Sequence, residues 1–277
     1  MATRIHIDGV DILATYEAYP IGCEGLVAWP EIKALQTYDW PDEDGVEANL
    51  SSPVLARRQF SISFVVRNGC IAEFLEFIYS SHTHTYEVPE MSYNKSLRLM
   101  DCTNFEMHGP LGFATLVLSD DCPLNDYVYQ APASTINLAP QYGWLMFDGF
   151  DATEYGCVAL NGLSQEMKAA VYGQVKEALL IDVCNRDGVE YDKDAPVKKS
   201  ASTISIPLYM RCTDMGEFWR NSNALLYDLT RVGTHTILYR GASISGYYGS
   251  MSVRDFGRTS DKVWMEFDVI FNSIMAQ

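Results

Sequence analysis

The sequence predicts a mainly β (α+β) protein of two tandem modules, each a β-sandwich or barrel with one flanking α-helix. Three observations predict it. Short motifs recur in the same order in both halves of the chain. Each half contains a strand of apolar alternation at the same place. Each of these strands is followed by a segment with a helical apolar stripe.

The repeat begins with Asp8-Gly9-Val10-Asp11, which returns as Asp148-Gly149-Phe150-Asp151. Glu31-Ile32-Lys33-Ala34 matches Glu166-Met167-Lys168-Ala169, and Asp44-Gly45-Val46-Glu47 returns unchanged at Asp187-Gly188-Val189-Glu190. Thr83-His84-Thr85 returns as Thr234-His235-Thr236, and Met100 with Phe105 pairs with Met251 and Phe256. The offset drifts through 140, 135, 143, 144 (Arg67 and Arg211) and 151. Ordered matches with a drifting offset are the mark of a duplicated fold whose loops have changed length. The boundary predicted from the repeat puts the modules at 1–135 and 136–277, each of ordinary domain size.

Ile5 and Ile7 alternate with polar residues before Asp8-Gly9, which reads as a strand entering a turn. Leu145 and Phe147 do the same before Asp148-Gly149. Trp29 to Tyr38 is expected as a strand through Ile32 and Leu35. Its counterpart, Met167 to Val183, has eight more residues, and periodicity leaves strand and helix both open there. Polar, acidic segments with Pro and Gly come next, Asp39 to Pro53 and Asn185 to Lys199. They read as long exposed loops of the kind that carry function or bind neighbours.

Phe60, Ile62, Phe64 and Val66 then alternate with polar or solvent-side residues, as do Ile204, Ile206, Leu208 and Met210. Ile71, Phe74, Leu75 and Ile78 fall at i, i+3, i+4 and i+7, predicting a helix over Ile71 to Ser80. Met215, Phe218 and Trp219, extended by Leu225, Leu226 and Leu229, predict its counterpart over Asp214 to Thr230. Asp214 and Glu217 have capping-box spacing. Strands are expected again at Thr83–Val88, Leu97–Phe105 and Phe113–Leu118. Their counterparts are His235–Tyr239, Gly249–Phe256 and Val263–Phe271.

The charge balance, 20 basic against 36 acidic residues and a net charge of −16, argues against tight wrapping of nucleic acid and suits a surface that nucleic acid passes without sticking. No basic-then-apolar N-terminal segment predicts a signal peptide, and no run reaches the ~18 apolar residues of a membrane span. The seven cysteines are odd in number and scattered with no Cys-x-x-Cys pair, so free thiols are expected rather than a disulfide or metal framework.

Motifs with chemistry are sparse, and no catalytic, cofactor-binding or metal-ligating residue is assigned. His82 and His84 have strand spacing for two ligands on one face, but no third or fourth ligand is evident. They read as sheet-surface histidines. The acids of Asp42-Glu43-Asp44-Gly45, and of Asp187, Glu190, Asp192 and Asp194, lack the EF-hand spacing. They read as solvated or interface loops, with Asp42, Asp44, Gly45, Asp187 and Gly188 as candidate assembly-loop residues. Neither a phosphate-binding glycine fingerprint nor a Gly-x-Ser-x-Gly elbow occurs. Trp29, Trp40 and Trp144 read as packing residues, and Tyr247-Tyr248 as the best exposed aromatic pair.

Ile7-Asp8-Gly9, then Asp42-Glu43-Asp44-Gly45, then Arg58-Gln59-Phe60-Ser61-Ile62, resembles the start of phage distal tail proteins. The order of strand, long loop, strand, helix and strands in each half is similar to the tail-tube module of phage tail tubes, distal tail proteins and baseplate hubs. That resemblance covers nearly the whole chain. It implies a non-enzymatic structural protein of the virion tail, assembled in the bacterial host cytoplasm of a phage or prophage, with no cofactor. Modules of this kind join sheets into a ring around a DNA-conducting lumen, with the helix outside and the long loop reaching an adjacent subunit or ring. Two modules per chain imply a homotrimer with pseudo-sixfold symmetry; if the second module lies off the ring, a homohexamer results. Neighbouring tube, hub or baseplate proteins are the implied partners. The alternative reading is a tandem β-sandwich carbohydrate-binding or adhesion protein, and a β-rich hydrolase is a third.

Overall fold

Alternating apolar residues need one covered face, and the chain meets this twice with the same sheet. A computed structural model describes residues 4–125, 127–135, 145–160, 174–178, 180–239 and 241–274. In the first repeat it contains β1 (His6–Ile7), β2 (Val10–Asp11), α1 (Ile12–Tyr16), β3 (Ala18–Glu24), β4 (Thr37–Tyr38) and β5 (Glu47–Ala48). These are succeeded by β6 (Arg58–Val66), α2 (Ile71–Tyr79), β7 (Thr83–Val88), β8 (Tyr93–His108) and β9 (Leu111–Asp120). The second repeat has β10 (Leu145–Phe147), β11 (Phe150–Asp151), β12 (Cys157–Ala159), β13 (Gln174–Val175), β14 (Leu180–Asp182), β15 (Val189–Tyr191) and β16 (Lys199–Ser200). It continues with β17 (Thr203–Cys212), α3 (Met215–Leu229), β18 (His235–Tyr239), β19 (Ala242–Arg258) and β20 (Val263–Ser273).

The first seven-stranded sheet has the order β2-β1-β7-β8-β9-β6-β3, and the second has β11-β10-β18-β19-β20-β17-β12. These are the same order, strand for strand, and the pairings within both sheets are antiparallel. The duplication reaches finer detail. β8 carries register shifts at Leu99/Asp101 and Thr103/Glu106, and β19 carries them at Tyr248/Ser250 and Val253/Asp255. Bulges like these increase local twist, so both long strands twist at corresponding places.

The alternation predicted for the central strands holds. Phe60, Ile62, Phe64 and Val66 are buried on β6, and Ile204, Ile206, Leu208 and Met210 on β17. Each helix covers its sheet with the predicted stripe. Phe74 of α2 meets Phe64 with ring centroids 5.4 Å apart, and Phe218 of α3 meets Phe256 at 5.5 Å. Gly112 permits the close seat of α2, since a Cβ there would lie 2.7 Å from the Ile71 side chain.

The Asp-Gly-x-Asp motif has a purely local explanation. Asp8 and Gly9 both have positive φ, 50° and 78°, and close the β1–β2 hairpin; Asp148 and Gly149 do so at 48° and 88°. Such turns match the twist of paired strands. The second aspartate of the motif is a helix cap. Asp11 accepts hydrogen bonds from the Leu13 and Ala14 amides at the start of α1, and Asp151 accepts from Thr153 at the 3-10 turn Ala152–Tyr155.

Several expectations are corrected. Trp29 to Tyr38 is not a continuous strand; Ile32 makes a single bridge and Thr37–Tyr38 forms β4. In Met167 to Val183, residues 167–173 and 179 lie outside the described residues, and Gln174–Val175 and Leu180–Asp182 are strands. The repeat register also shifts. Val54 O accepts from the Lys33 amide at 2.8 Å, and Lys198 O accepts from the Lys176 amide at 2.8 Å. Lys176 therefore occupies the position of Lys33, whereas the matched Glu166–Ala169 lies outside the described residues. Cross-strand partners likewise equate Cys102 with Met251 and Glu106 with Asp255, not Met100 with Met251 or Phe105 with Phe256. The connection after β7 in the first repeat, Pro89–Ser92, is longer than its counterpart after β18, which accounts for the change in offset.

The chain packs as two compact units. Met1–Glu31 with Leu55–Tyr127 form one, and Ile32–Val54 with Val128–Gln277 form the other. The second unit thus gathers two segments, 32–54 and 128–135, that precede the second sheet in sequence. No helix among the described residues is long and apolar enough to cross a membrane.

Candidate assembly arms

The segments read as long loops each contain a two-stranded arm. β4 pairs with β5 through Thr37–Ala48 and Tyr38–Glu47, and β14 pairs with β15 through Leu180–Tyr191, Ile181–Glu190 and Asp182–Val189. The pairings superpose at one constant offset, with Tyr38 matching Ile181 and Glu47 matching Glu190. The turns agree as well: Glu43 donates to Trp40 O, and Arg186 donates to Val183 O. Gly45 and Gly188, at φ 75° and 78°, hold the left-handed position that glycine adopts at little cost.

The first arm is seated. Lys176 Nζ donates to the carbonyls of Trp40, Glu43 and Gly45 at 2.8, 2.9 and 2.7 Å and pairs with Asp39. Its side chain is 8 % exposed. Asp44 Oδ1 accepts from the Lys199 amide at 2.7 Å, the Gly45 amide donates to Lys199 O at 2.7 Å, and the Val46 amide donates to Ile274 O at 2.8 Å. Carbonyls at a tight turn have no ladder partner, and an ammonium with several donors is suited to satisfying them together. Asp42 is exposed beside this cluster, while Gly45 is buried in it.

The second arm is bare. Asp187 and Gly188 lie exposed at its tip. Ile181, Val189 and Tyr191 are 60 %, 48 % and 51 % exposed. Within the arm Arg186 pairs with Glu190. The candidate residues therefore fall in two separate places, Asp42, Asp44 and Gly45 on the seated arm and Asp187 and Gly188 on the bare one.

Sequence reasoning missed the seat of the first arm and a second repeated device. Asp8 Oδ2 lies 2.6 Å from His84 Nδ1 while its Oδ1 accepts from the Thr85 amide at 2.7 Å, and His84 Nε2 faces Ile78 O at 2.8 Å. Asp148, His235, Thr236 and Arg231 O repeat this at 2.7, 2.7 and 3.0 Å. Both histidines are buried, which corrects the reading of His84 as a sheet-surface residue, and His82 is exposed outside the strand. His84 ties its Asp-Gly turn to the last turn of α2, and His235 ties its own to Arg231, just past the end of α3. With oxygen acceptors on both ring nitrogens, His235 is fully satisfied only as the doubly protonated ring. Burial opposes that charge, but hydrogen bonds to Asp148 and the Arg231 carbonyl outweigh it and raise the His235 pKa. Burial likewise opposes the charge on Asp148, yet bonds from His235 and Thr236 hold its carboxyl below the usual range.

One cleft is filled by its own ion pairs. A cleft of 330 Å³ in the first unit is lined in part by Lys95, Arg98, Asp120 and Asp121. Arg58 and Lys95 both pair with Asp120 at 2.9 Å, and Arg98 pairs with Asp121 at 2.6 Å. The Arg98 and then the Ser119 hydrogen bonds lower the Asp121 pKa to about 2. Tyr248 is fully buried in β19, which corrects its reading as an exposed aromatic. Trp29 is buried, Trp40 is half exposed and Trp144 lies outside the described residues. Among the described residues no three His, Cys, Asp or Glu side chains converge as a metal site needs.

No family model matches the chain, and no curated protein matches it. Among solved structures it is similar to the SPP1 Dit (gp 19.1) protein, described as a paradigm of hub adsorption apparatus in phages infecting Gram-positive bacteria. The identity is 11 %, the TM-score 0.35, and the match covers 99 % of each chain. At that TM-score the functional reading rests on the chain's own residues and geometry.

Proposed function

We propose that the chain is a structural ring component of a phage or prophage tail, at the distal tail or baseplate hub, and that it performs no catalysis. The carrying observation is one sheet-and-helix module present twice in one chain, each copy projecting an arm with the same register and turn. A repeated module with one arm seated and a matching arm bare is organised for assembly. The net charge of −16 suits a lumen that DNA crosses without binding. Work of this kind is done by strand edges and arms at subunit contacts, with adjacent tube or baseplate proteins as further partners.

Native mass spectrometry with negative-stain class averages tests this. A trimer or hexamer around a hole wide enough for duplex DNA is the expected result. A monomer at high concentration that stays monomeric beside neighbouring tail proteins overturns it, and glycan binding by that monomer would favour the carbohydrate-binding reading.

A further inference from the structure

We infer that the bare arm, Leu180–Tyr191, is seated by Lys33 of another copy of this chain, through an ion pair with Asp182 and hydrogen bonds to the arm's turn carbonyls. The two arms are internally equivalent. In the seated arm Lys176 pairs with Asp39 and gathers the carbonyls of Trp40, Glu43 and Gly45. The residue equivalent to Asp39 in the bare arm is Asp182, the residue equivalent to Asp44 is Asp187, and Gly45 corresponds to Gly188. The residue equivalent to Lys176 is Lys33, fixed by the matching amide bonds to Val54 O and Lys198 O. Both halves of the clamp therefore exist twice.

Among the described residues the second set is unmatched. Lys33 and Asp182 are exposed, and neither forms an ion pair among the described residues. The arm also exposes Ile181, Val189 and Tyr191, and a lone two-stranded hairpin is marginal in water without cover. A contact that joins patch to different patch is head-to-tail, so it can propagate and close into a ring. The second seat carries less positive charge, since Val54 and Leu55 stand beside Lys33 where Lys198 and Lys199 stand beside Lys176.

An exposed ion pair alone contributes little. The expected strength comes from covering an ammonium with turn carbonyls, as around Lys176. Reversing such a covered charge should weaken association at least about 30-fold. The inference rests on the ring reading only in taking the partner to be a second copy.

Sedimentation and native mass spectrometry of wild type, Lys33→Asp, Asp182→Lys and the double variant, each across a concentration series, test this. Both sites are exposed, so folding should be unchanged, and circular dichroism checks this. Expected are a self-associating wild type, two dissociated single variants and a double variant that regains association. Wild-type assemblies unmoved by either single change overturn the inference and leave the ring reading standing. Charge-sensitive assembly without a closed ring in micrographs supports the inference and sinks the ring reading. A wild type that stays monomeric across the series overturns the inference.

Discussion

α2 and α3 occupy the same place in identically ordered sheets, yet they are covered differently. α2 buries Ile71, Phe74 and Ile78 and leaves much of its surface open. α3 buries its apolar stripe and also Glu217, Asn221 and Asp228. The reason is the segment 128–135, which lies along α3. The Thr135 amide donates to Glu217 Oε1 at 2.7 Å, the Ala133 amide to Asn221 at 3.0 Å, and the Tyr129 hydroxyl to Asp228 at 3.0 Å. Asp214 caps α3 by accepting from the Glu217 amide at 2.8 Å, but the Glu217 carboxylate turns to Thr213 and Thr135 instead of completing a capping box. The duplicated part of the molecule is thus sheet, helix and histidine clamp; what covers them has diverged.

The largest effects should come from sheet positions where the repeats differ in size. Gly246 stands where the first repeat has Leu97, as their partners His235 and His84 establish. A Cβ at 246 would fall 2.0 Å from the Asn272 carbonyl oxygen. Gly246→Ala should destabilise the second unit by about 3 kcal/mol through overpacking. Leu97→Ala should cost the first unit about 3 kcal/mol for the opposite reason, a cavity. Denaturant titration of each variant checks both, and a neutral Gly246→Ala would show that the strands separate easily there.

Removing the lysine clamp should be next. Lys176→Ala leaves turn carbonyls unpaired and should cost about 2 kcal/mol, with new protease cleavage in 39–47. Lys33→Ala in dilute protein should change stability by less than about 0.5 kcal/mol. Glu217→Ala should release the overlying segment at a cost of about 1 kcal/mol, read as faster amide exchange at Thr135.

The smallest effect should be one of pH. His235 has a raised pKa, so its stabilising contribution is complete below the ordinary value of 6.5 and fades as pH rises through its folded value. Asp148 has a lowered one, so its contribution is complete above 3.8 and fades on acidification. The clamp of the second unit should be strongest between those values. Melting temperatures of wild type should fall on raising pH above 6.5 more steeply than those of His235→Gln; parallel trends would show that the clamp adds no pH-dependent stability.

The features legible in the sequence are periodic ones. Alternation from Phe60 to Val66 and from Ile204 to Met210, and the stripe beginning at Ile71, give strong local signals because one face must be covered. The edge strand β3 leaves most of its residues open and so shows no alternation, while the three-residue β12 and the five-residue α1 are too short to show a period. The repeat register misleads where short matches outweigh pairing: Lys168 resembles Lys33 in its neighbours, but Lys176 shares its hydrogen bond. Asp42, Asp44, Gly45, Asp187 and Gly188 stand out as acidic glycine turns. That one turn is seated and the other bare depends on residues more than 130 positions away, such as Lys176 and Lys199, and no local pattern carries that information.

Asp-Gly occurs at four places, at residues 8, 44, 148 and 187. It is also the aspartyl dipeptide most prone to isoaspartate formation, in which the glycine nitrogen attacks the aspartate side-chain carboxyl carbon, water leaves to close a succinimide, and water reopens that ring at the main-chain carbonyl. Asp8 and Asp148 are held in place by a histidine and a strand amide, and Asp44 by the Lys199 amide. Asp187 has no such restraint among the described residues. Stored protein should therefore age first at the tip of the bare arm, and peptide mapping after incubation should find isoaspartate at residue 187 before the other three.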